Sequence, residues 1–193
     1  MIRVRHLEKI LILGVTGMLG SAMFRTFSEF AGEQAEVVGT MRSPSGLKFF
    51  PNIEDDRIIS SVDVEREDDL VRVFAQVRPS VVINCVGLVK QHAQANNPLT
   101  ALPINAMLPH RLAALCAATG SRLIHISTDC VFDGKKGSYL ESDPSDALDL
   151  YGKSKDYFES YPKMPQEIAE YLIEKKISMV CLDTCSPDHE EFT

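Results

Sequence analysis

The stretch "KILILGVTGMLGSAMFRTF", Lys9 to Phe27, decides how the chain is read. Its first seven residues form a continuous apolar run that ends at a glycine turn, the signature of a buried strand. Gly14, Gly17 and Gly20 then follow as G-x-x-G-x-x-G, and apolar residues recur at helical spacing up to a glycine stop at Gly32. A glycine triplet between a strand and a helix suits a phosphate. Glycine takes backbone angles that a side chain would block, lets the main chain approach a pyrophosphate, and allows close helix–strand packing. Free N–H groups at the helix N-terminus then meet the phosphate charge. The alternative is a tight turn of structural value only.

Working outward, strand-like and helical stretches alternate. "AEVVGTM" is a second strand, "RIISSVDV" a third, "SVVINCVG" a fourth and "RLIHIST" a fifth. "EREDDLVRVFAQVRP" is a helix, with acidic residues in its first turn and proline after its last. "LPINAMLPHRLAALCAATG" is another helical region, and "RSPSGLKFFPN", Arg42 to Asn52, is expected to be loop. Strands this apolar are covered on both faces, as in a parallel sheet with helices on either side. The fold class is therefore α/β, a Rossmann-type doubly wound parallel sheet.

The composition narrows the function classes. With 45% hydrophobic and 24% charged residues among 193, a globular core is available. A net charge of −7 and the lack of a Lys/Arg block argue against nucleic acid or an anionic membrane as partner. The longest apolar run near the start is too short to span a bilayer, and "MIRVRHLEK" has no signal-peptide core, so a cytoplasmic location is expected. The five cysteines, Cys85, Cys116, Cys130, Cys181 and Cys185, show no C-x-x-C and read as reduced thiols. No metal site is expected.

The glycine turn places Gly14, Thr16, Gly17, Met18, Leu19 and Gly20 against a dinucleotide. After the second strand, Thr40 and Arg42 stand where NAD-binding folds of this kind carry a carboxylate. An arginine there can neutralise the 2′-phosphate of NADP, so NADPH is the expected cofactor and NADH the alternative. A solvated loop arginine is the competing reading. Asp63, with Val64 beside it, follows the third strand, where a carboxylate could accept from the adenine amino group or cap the following segment. Asn84, Cys85 and Gly87 end the fourth strand beside the cofactor.

"VVINCVG", "INAMLPHRLA", "IHISTDCVFDGKKGSYLESDP" and "YGKSK" together resemble the extended short-chain dehydrogenase/reductases, and within them the dTDP-4-dehydrorhamnose reductase group, over about Ile10 to Lys155. Tyr151 and Lys155 are four apart and share a helix face. A neighbouring ammonium lowers a tyrosine's pKa, so Tyr151 is expected to protonate a carbonyl oxygen as general acid. Lys155 can also hold ribose hydroxyls. Thr128 can bind the substrate carbonyl, with Ser127 as the less favoured choice and a residue of the cofactor wall. The resemblance gives Asn105 the role of orienting a helix and a proton-relay water. It implies a nucleotide-linked 4-keto sugar as substrate. "NCVGLVKQHAQANNP" departs from the corresponding stretch of the rhamnose enzymes, which leaves the sugar open. Asp129, Asp133 and Gly134 are read as shaping a substrate-side loop. His92, His110 and His125 show no ligand spacing and are read as structural or solvated.

The family pattern stops at Lys155. Residues 156–193 resemble instead a segment of the cyclase, kynurenine formamidase-like, hydrolases, without that family's H-x-x-x-D metal run. The expected organisation is an incomplete NADP-binding domain, 1–155, joined to an unrelated helix–strand tail, 156–193, with a helix from about Gln166 to Lys176 and a strand in "ISMVCLD". A half-built domain is expected to lack its sixth strand and the lobe that closes over a sugar, so nucleotide binding is expected to survive better than turnover, and the open edge would invite aggregation or a homodimer. Three functions compete: an NADP-dependent nucleotide-sugar reductase, a non-catalytic nucleotide-binding or regulatory subunit on the same fold, and, last, a hydrolase.

Overall fold

A computed structural model describes residues 7–31, 35–53, 56–140, 142–160 and 178–180. Six parallel strands form one sheet: β1 (Glu8–Leu13), β2 (Ala35–Thr40), β3 (Ile58–Ile59), β4 (Val81–Asn84), β5 (Arg122–Ile126) and β6 (Ser178–Val180). Their spatial order is β3-β2-β1-β4-β5-β6. The order reverses between β1 and β4, which leaves a crevice above their C-terminal ends. The helices are α1 (Met18–Phe30), α2 (Glu67–Val77), α3 (Pro98–Ala101), α4 (Leu108–Thr119) and α5 (Leu150–Ser160).

Alternation of side chains sends each strand's residues to opposite faces. Leu11, Leu13, Val82 and Leu123 face one way and bury with Leu70, Val73, Phe74 and Val77 of α2 and Leu112 and Cys116 of α4. Ile12, Val37 and Ile83 face the other way and bury with Phe24 of α1. Thr40, Leu13, Asn84 and His125 lie side by side in register across β2, β1, β4 and β5. That row is the crest on which the site stands.

The helices expected before Lys155 and the first five strands are present, with local differences. β3 is only two residues long. The expected loop at Arg42 to Asn52 holds a 3-10 turn, Pro44–Phe49, because Ser43 caps it by accepting from Ser45 N at 3.3 Å and Pro44 carries a ready-set φ. The Leu102–Gly120 helical region begins earlier, at α3, and is interrupted by a π-helical turn, Leu102–Met107, in which Leu108 N donates to Pro103 O. Pro103 and Pro109 each lack an N–H, so the ordinary i→i−4 ladder cannot run through this turn.

The expectation of a missing sixth strand is corrected. β6, from the tail, pairs with β5 in parallel, Ile124 opposite Ser178 and Ile126 opposite Val180, so the backbone groups of β5 are met on that side. Helix α5 also runs unbroken through Lys155 and Asp156. The expected helix at about Gln166 to Lys176 lies outside the described residues.

Candidate active site

The first wall of the crevice is the glycine turn. Gly14 has φ +85°, and its N–H and that of Val15 both donate to Thr40 O, at 3.2 and 3.0 Å. The turn is thereby clamped to the end of β2. A Cβ on Gly20 would run into Gly14 O, so the third glycine lets α1 rise directly from the turn. No side chain caps α1, and the N–H groups of its first turn have no intrahelical acceptor. Gly20 is buried beneath the turn, Met18 is 89% exposed, and Leu19 packs onto the α1-side core.

Beside this turn runs a cleft of about 300 Å³. Gly14, Thr16, Gly17, Thr40, Arg42, Asp63, Val64, Cys85 and Gly87, all singled out in the sequence, line it. Met41, Val62, Glu65, Val86, Leu88, His92 and Ile104 line it as well and were missed. The first five flank residues already singled out. His92 and Ile104 are brought in by the fold from the segment after β4 and from the π turn, and no local pattern marks them. Asp63 Oδ1 accepts from Glu65 N at 3.1 Å, while Asp69 Oδ2 accepts from Asp63 N at 3.0 Å. Asp63 therefore shapes its own loop and still faces the cleft. Burial pushes the Cys85 thiol up to about 11 and the Cys116 thiol up to about 12, so both stay protonated at neutral pH.

Asn84 lines no part of this cleft. It is fully buried, with Oδ1 accepting from Val86 N at 3.1 Å and Nδ2 3.1 Å from His125 Nδ1. It braces the Cys85–Gly87 turn from beneath.

The second group gathers at the ends of β5 and α5. Thr128 is buried, and its Oγ1 accepts from Cys130 N at 3.2 Å. A side-chain hydrogen bond joins Thr128 to Tyr151. Gly152 permits this approach: a Cβ there would collide with Cys130 O and come within 2.8 Å of Ala147 Cβ. Asp149 Oδ1 accepts from Gly152 N at 2.8 Å and holds the first turn of α5. Lys155 is 4% exposed, its Nζ donating to Ile126 O at 3.4 Å. Burial lowers the Lys155 pKa to about 8. A Cβ on Gly87 would stand 3.1 Å from Lys155 Nζ. Lys155 thus lies directly behind a residue that lines the cleft. Ser127 is buried at the end of β5.

The expected lowering of Tyr151 by Lys155 is corrected. Burial dominates and raises the Tyr151 pKa, and the hydrogen bond with Thr128 opposes it only in part. Four-residue spacing puts two side chains on one helix face, but here the lysine turns to the β5 carbonyl.

Asn105, in the π turn, is fully buried. Its Oδ1 accepts from Leu88 N at 2.9 Å, and its Nδ2 donates to Leu88 O at 3.0 Å and to Ser154 Oγ at 3.2 Å. It therefore ties the segment after β4 to α5. The loop after β5 folds on itself around Asp133, which accepts from Lys135 N and Tyr139 OH, each at 2.9 Å, and pairs with Lys135 Nζ at 2.5 Å. These contacts hold the Asp133 carboxyl down at about 2. Phe132 stacks on Tyr139 with centroids 4.3 Å apart. Asp129 is exposed, and its Oδ1 accepts from Thr128 Oγ1 at 3.3 Å.

Residues 8–171 match the family described as RmlD substrate binding domain. The chain is 31% identical over 148 residues to methionine adenosyltransferase 2 subunit beta of Bos taurus, covering 77% of this chain and 40% of that protein. It is 32% identical over 145 residues to a probable low-salt glycan biosynthesis reductase of Haloferax volcanii, covering 75% and 45%. The chain thus spans less than half the length of these relatives. In fold it is similar to a dTDP-4-dehydrorhamnose reductase from Bacillus anthracis solved with NADP, with TM-score 0.64 and 22% identity over 91% of this chain and 53% of that one. Among the described residues no helix is long and apolar enough to cross a membrane.

Proposed function

The chain belongs to the RmlD substrate-binding-domain family, a family of nucleotide-sugar reductases, and on that premise we propose that it binds NADP(H) and reduces the 4-keto group of a nucleotide-linked sugar. The observation that carries this reading is the meeting of two groups of residues. Lys155 Nζ stands 3.1 Å from the Cβ position of Gly87, a residue of the glycine-walled cleft, and the hydrogen-bonded Thr128–Tyr151 pair belongs to the same β5–α5 group as Lys155.

The cleft residues fit a dinucleotide. The positive φ of Gly14, the uncapped first turn of α1 and the close approach at Gly20 make a cradle for a pyrophosphate. Arg42 at the cleft edge suits a 2′-phosphate, which favours NADPH over NADH. When bound, the nicotinamide supplies the hydride. Tyr151 supplies the proton. Its raised pKa keeps the phenol protonated at neutral pH, the form a general acid requires. Thr128 is hydrogen-bonded to the phenol, and its single hydroxyl proton, shared in the free protein with Asp129, turns to the substrate carbonyl oxygen when substrate binds. Lys155 holds ribose hydroxyls and places its positive charge near the developing oxyanion. Asn105 keeps the Leu88 segment and α5 in fixed relation, and the Asp133 loop walls the sugar side.

Titration with NADPH and NADH tests the cofactor reading, and binding of neither would remove it. Addition of a dTDP-4-keto sugar, followed by nicotinamide absorbance, tests the reaction. The relative named as a subunit of methionine adenosyltransferase supports a second reading, a nucleotide-binding regulatory subunit. NADPH binding without turnover of any nucleotide sugar supplied would favour it. A cytoplasmic location and a homodimer accord with this function, and fractionation and light scattering test them. The same proposal divides the chain into 1–155 and 156–193. Limited proteolysis that frees 156–193 and leaves a folded remainder would support that division, and unfolding of the remainder would argue that β6 belongs to the sheet.

A further inference from the structure

We propose that His125 is a positioning residue for the dinucleotide: by accepting a hydrogen bond at Nδ1 it fixes which way the Asn84 carboxamide faces, and through Asn84 it sets the Cys85–Gly87 wall of the cleft. The proposal rests on the cofactor reading above.

A carboxamide's two ends differ only in being O or NH₂, so a buried asparagine needs partners that tell them apart. Asn84 has two. Val86 N is a main-chain donor and can be met only by an acceptor, which assigns Oδ1 to that side at 3.1 Å. The end facing His125 is then Nδ2, a donor, at 3.1 Å from Nδ1. Nδ1 must therefore be unprotonated and Nε2 must carry the ring proton. The two residues are direct register partners on β4 and β5, and both are buried. The groups acting on the imidazole are Lys155 and His110, both cationic when protonated. Burial and these neighbours push the His125 pKa down to about 3, so the ring stays neutral and the acceptor is present at every physiological pH.

What the bracket holds is the cleft wall. Val86 Cγ2 stands 2.8 Å from the Cβ position of Gly14, and Gly87 stands against Lys155 Nζ. A flipped Asn84 would point its NH₂ at Val86 N, two donors face to face, and that turn would have to move away from both the glycine turn and Lys155.

Three full-length proteins test this with NADPH as probe. His125→Leu fills most of the volume but removes the acceptor, leaving the buried Asn84 donor unmet. His125→Asn is smaller but keeps an acceptor near the Nδ1 position. The expected result is about tenfold weaker NADPH binding for His125→Leu, with His125→Asn within about threefold of wild type. A volume-filling histidine would give the opposite ranking, and equal loss in both variants would overturn the proposal too. If His125→Leu does not fold, the ¹⁵N shifts of the wild-type imidazole decide. An unprotonated Nδ1 with a protonated Nε2 from pH 5 to 8 is expected, and the other tautomer, or a cation, would overturn it. Failure of the wild type itself to bind NADPH would refute the cofactor reading instead, and the NMR result would stand independently.

Discussion

Replacing Gly14 by alanine separates two effects that the glycine turn combines. At φ +85° an alanine pays for a left-handed backbone, about 1–2 kcal/mol. Part of this is offset by the stiffer unfolded chain, by about 0.4–1 kcal/mol. The new Cβ would also stand 2.8 Å from Val86 Cγ2, closer than real Cβ contacts come, so the half-buried valine has to shift. Overpacking of this kind costs about 1–3 kcal/mol. Gly120, which ends α4 at φ +71°, is the control, because a Cβ there meets nothing within 4 Å. Gly120→Ala therefore carries the backbone effect alone. The difference between the variants is the contact effect, about 1–3 kcal/mol, or about 2–12 °C in melting temperature for a domain of this size. Gly14→Ala should also weaken NADPH binding at least tenfold, since it displaces the pyrophosphate cradle, while Gly120→Ala should leave it unchanged. Differential scanning fluorimetry and fluorescence titration measure both. Equal melting temperatures within about 1 °C would refute the packing of Gly14 against Val86, and equal NADPH affinity would refute its role in the cradle.

Further expectations follow from the same geometry. Arg42→Ala should weaken NADPH binding by roughly tenfold to a hundredfold and leave NADH nearly unaffected, as paired titrations would show. Tyr151→Phe should abolish turnover while the NADPH dissociation constant stays within about twofold of wild type, since the phenol acts only on the reacting oxygen. Lys155 is depressed from 10.5 to about 8 in the fold, so its burial cost is fully present below pH 8 and disappears as pH rises toward 10.5. Lys155→Met should therefore be more stable than wild type at pH 7, by something on the order of 3 kcal/mol at most, and lose that advantage between pH 8 and 10.5 in denaturant titrations.

Much of the molecule was legible from local pattern. The apolar run Lys9 to Val15 and the glycines after it announce a strand, a turn and a helix through steric rules that act over a few residues. The parallel sheet followed from strands apolar on both faces. The cleft's backbone-defined residues, Gly14, Gly17 and Gly87, were found for the same reason. Asp63 was left open between two roles, and its loop-shaping hydrogen bond to Glu65 N emerged only from the geometry. The π turn escaped because a missing N–H at Pro103 and Pro109 shows that the ladder breaks, not how the chain repairs it.

The sequence by itself determined the fold class, the place of the glycine turn and the identity of the residues at the ends of the strands, because each depends on periodicity or on a backbone angle encoded locally. Tertiary structure alone decided what those residues touch. It set Lys155 against Ile126 O and Gly87, put Asn84 under the cleft wall with His125, and brought His92 and Ile104 into the lining. It also laid Ser178–Val180 along β5, where the sequence pattern had suggested an open edge. Burial and hydrogen-bond partners at long sequence separation are properties of the packed sheet, and no spacing along the chain encodes them.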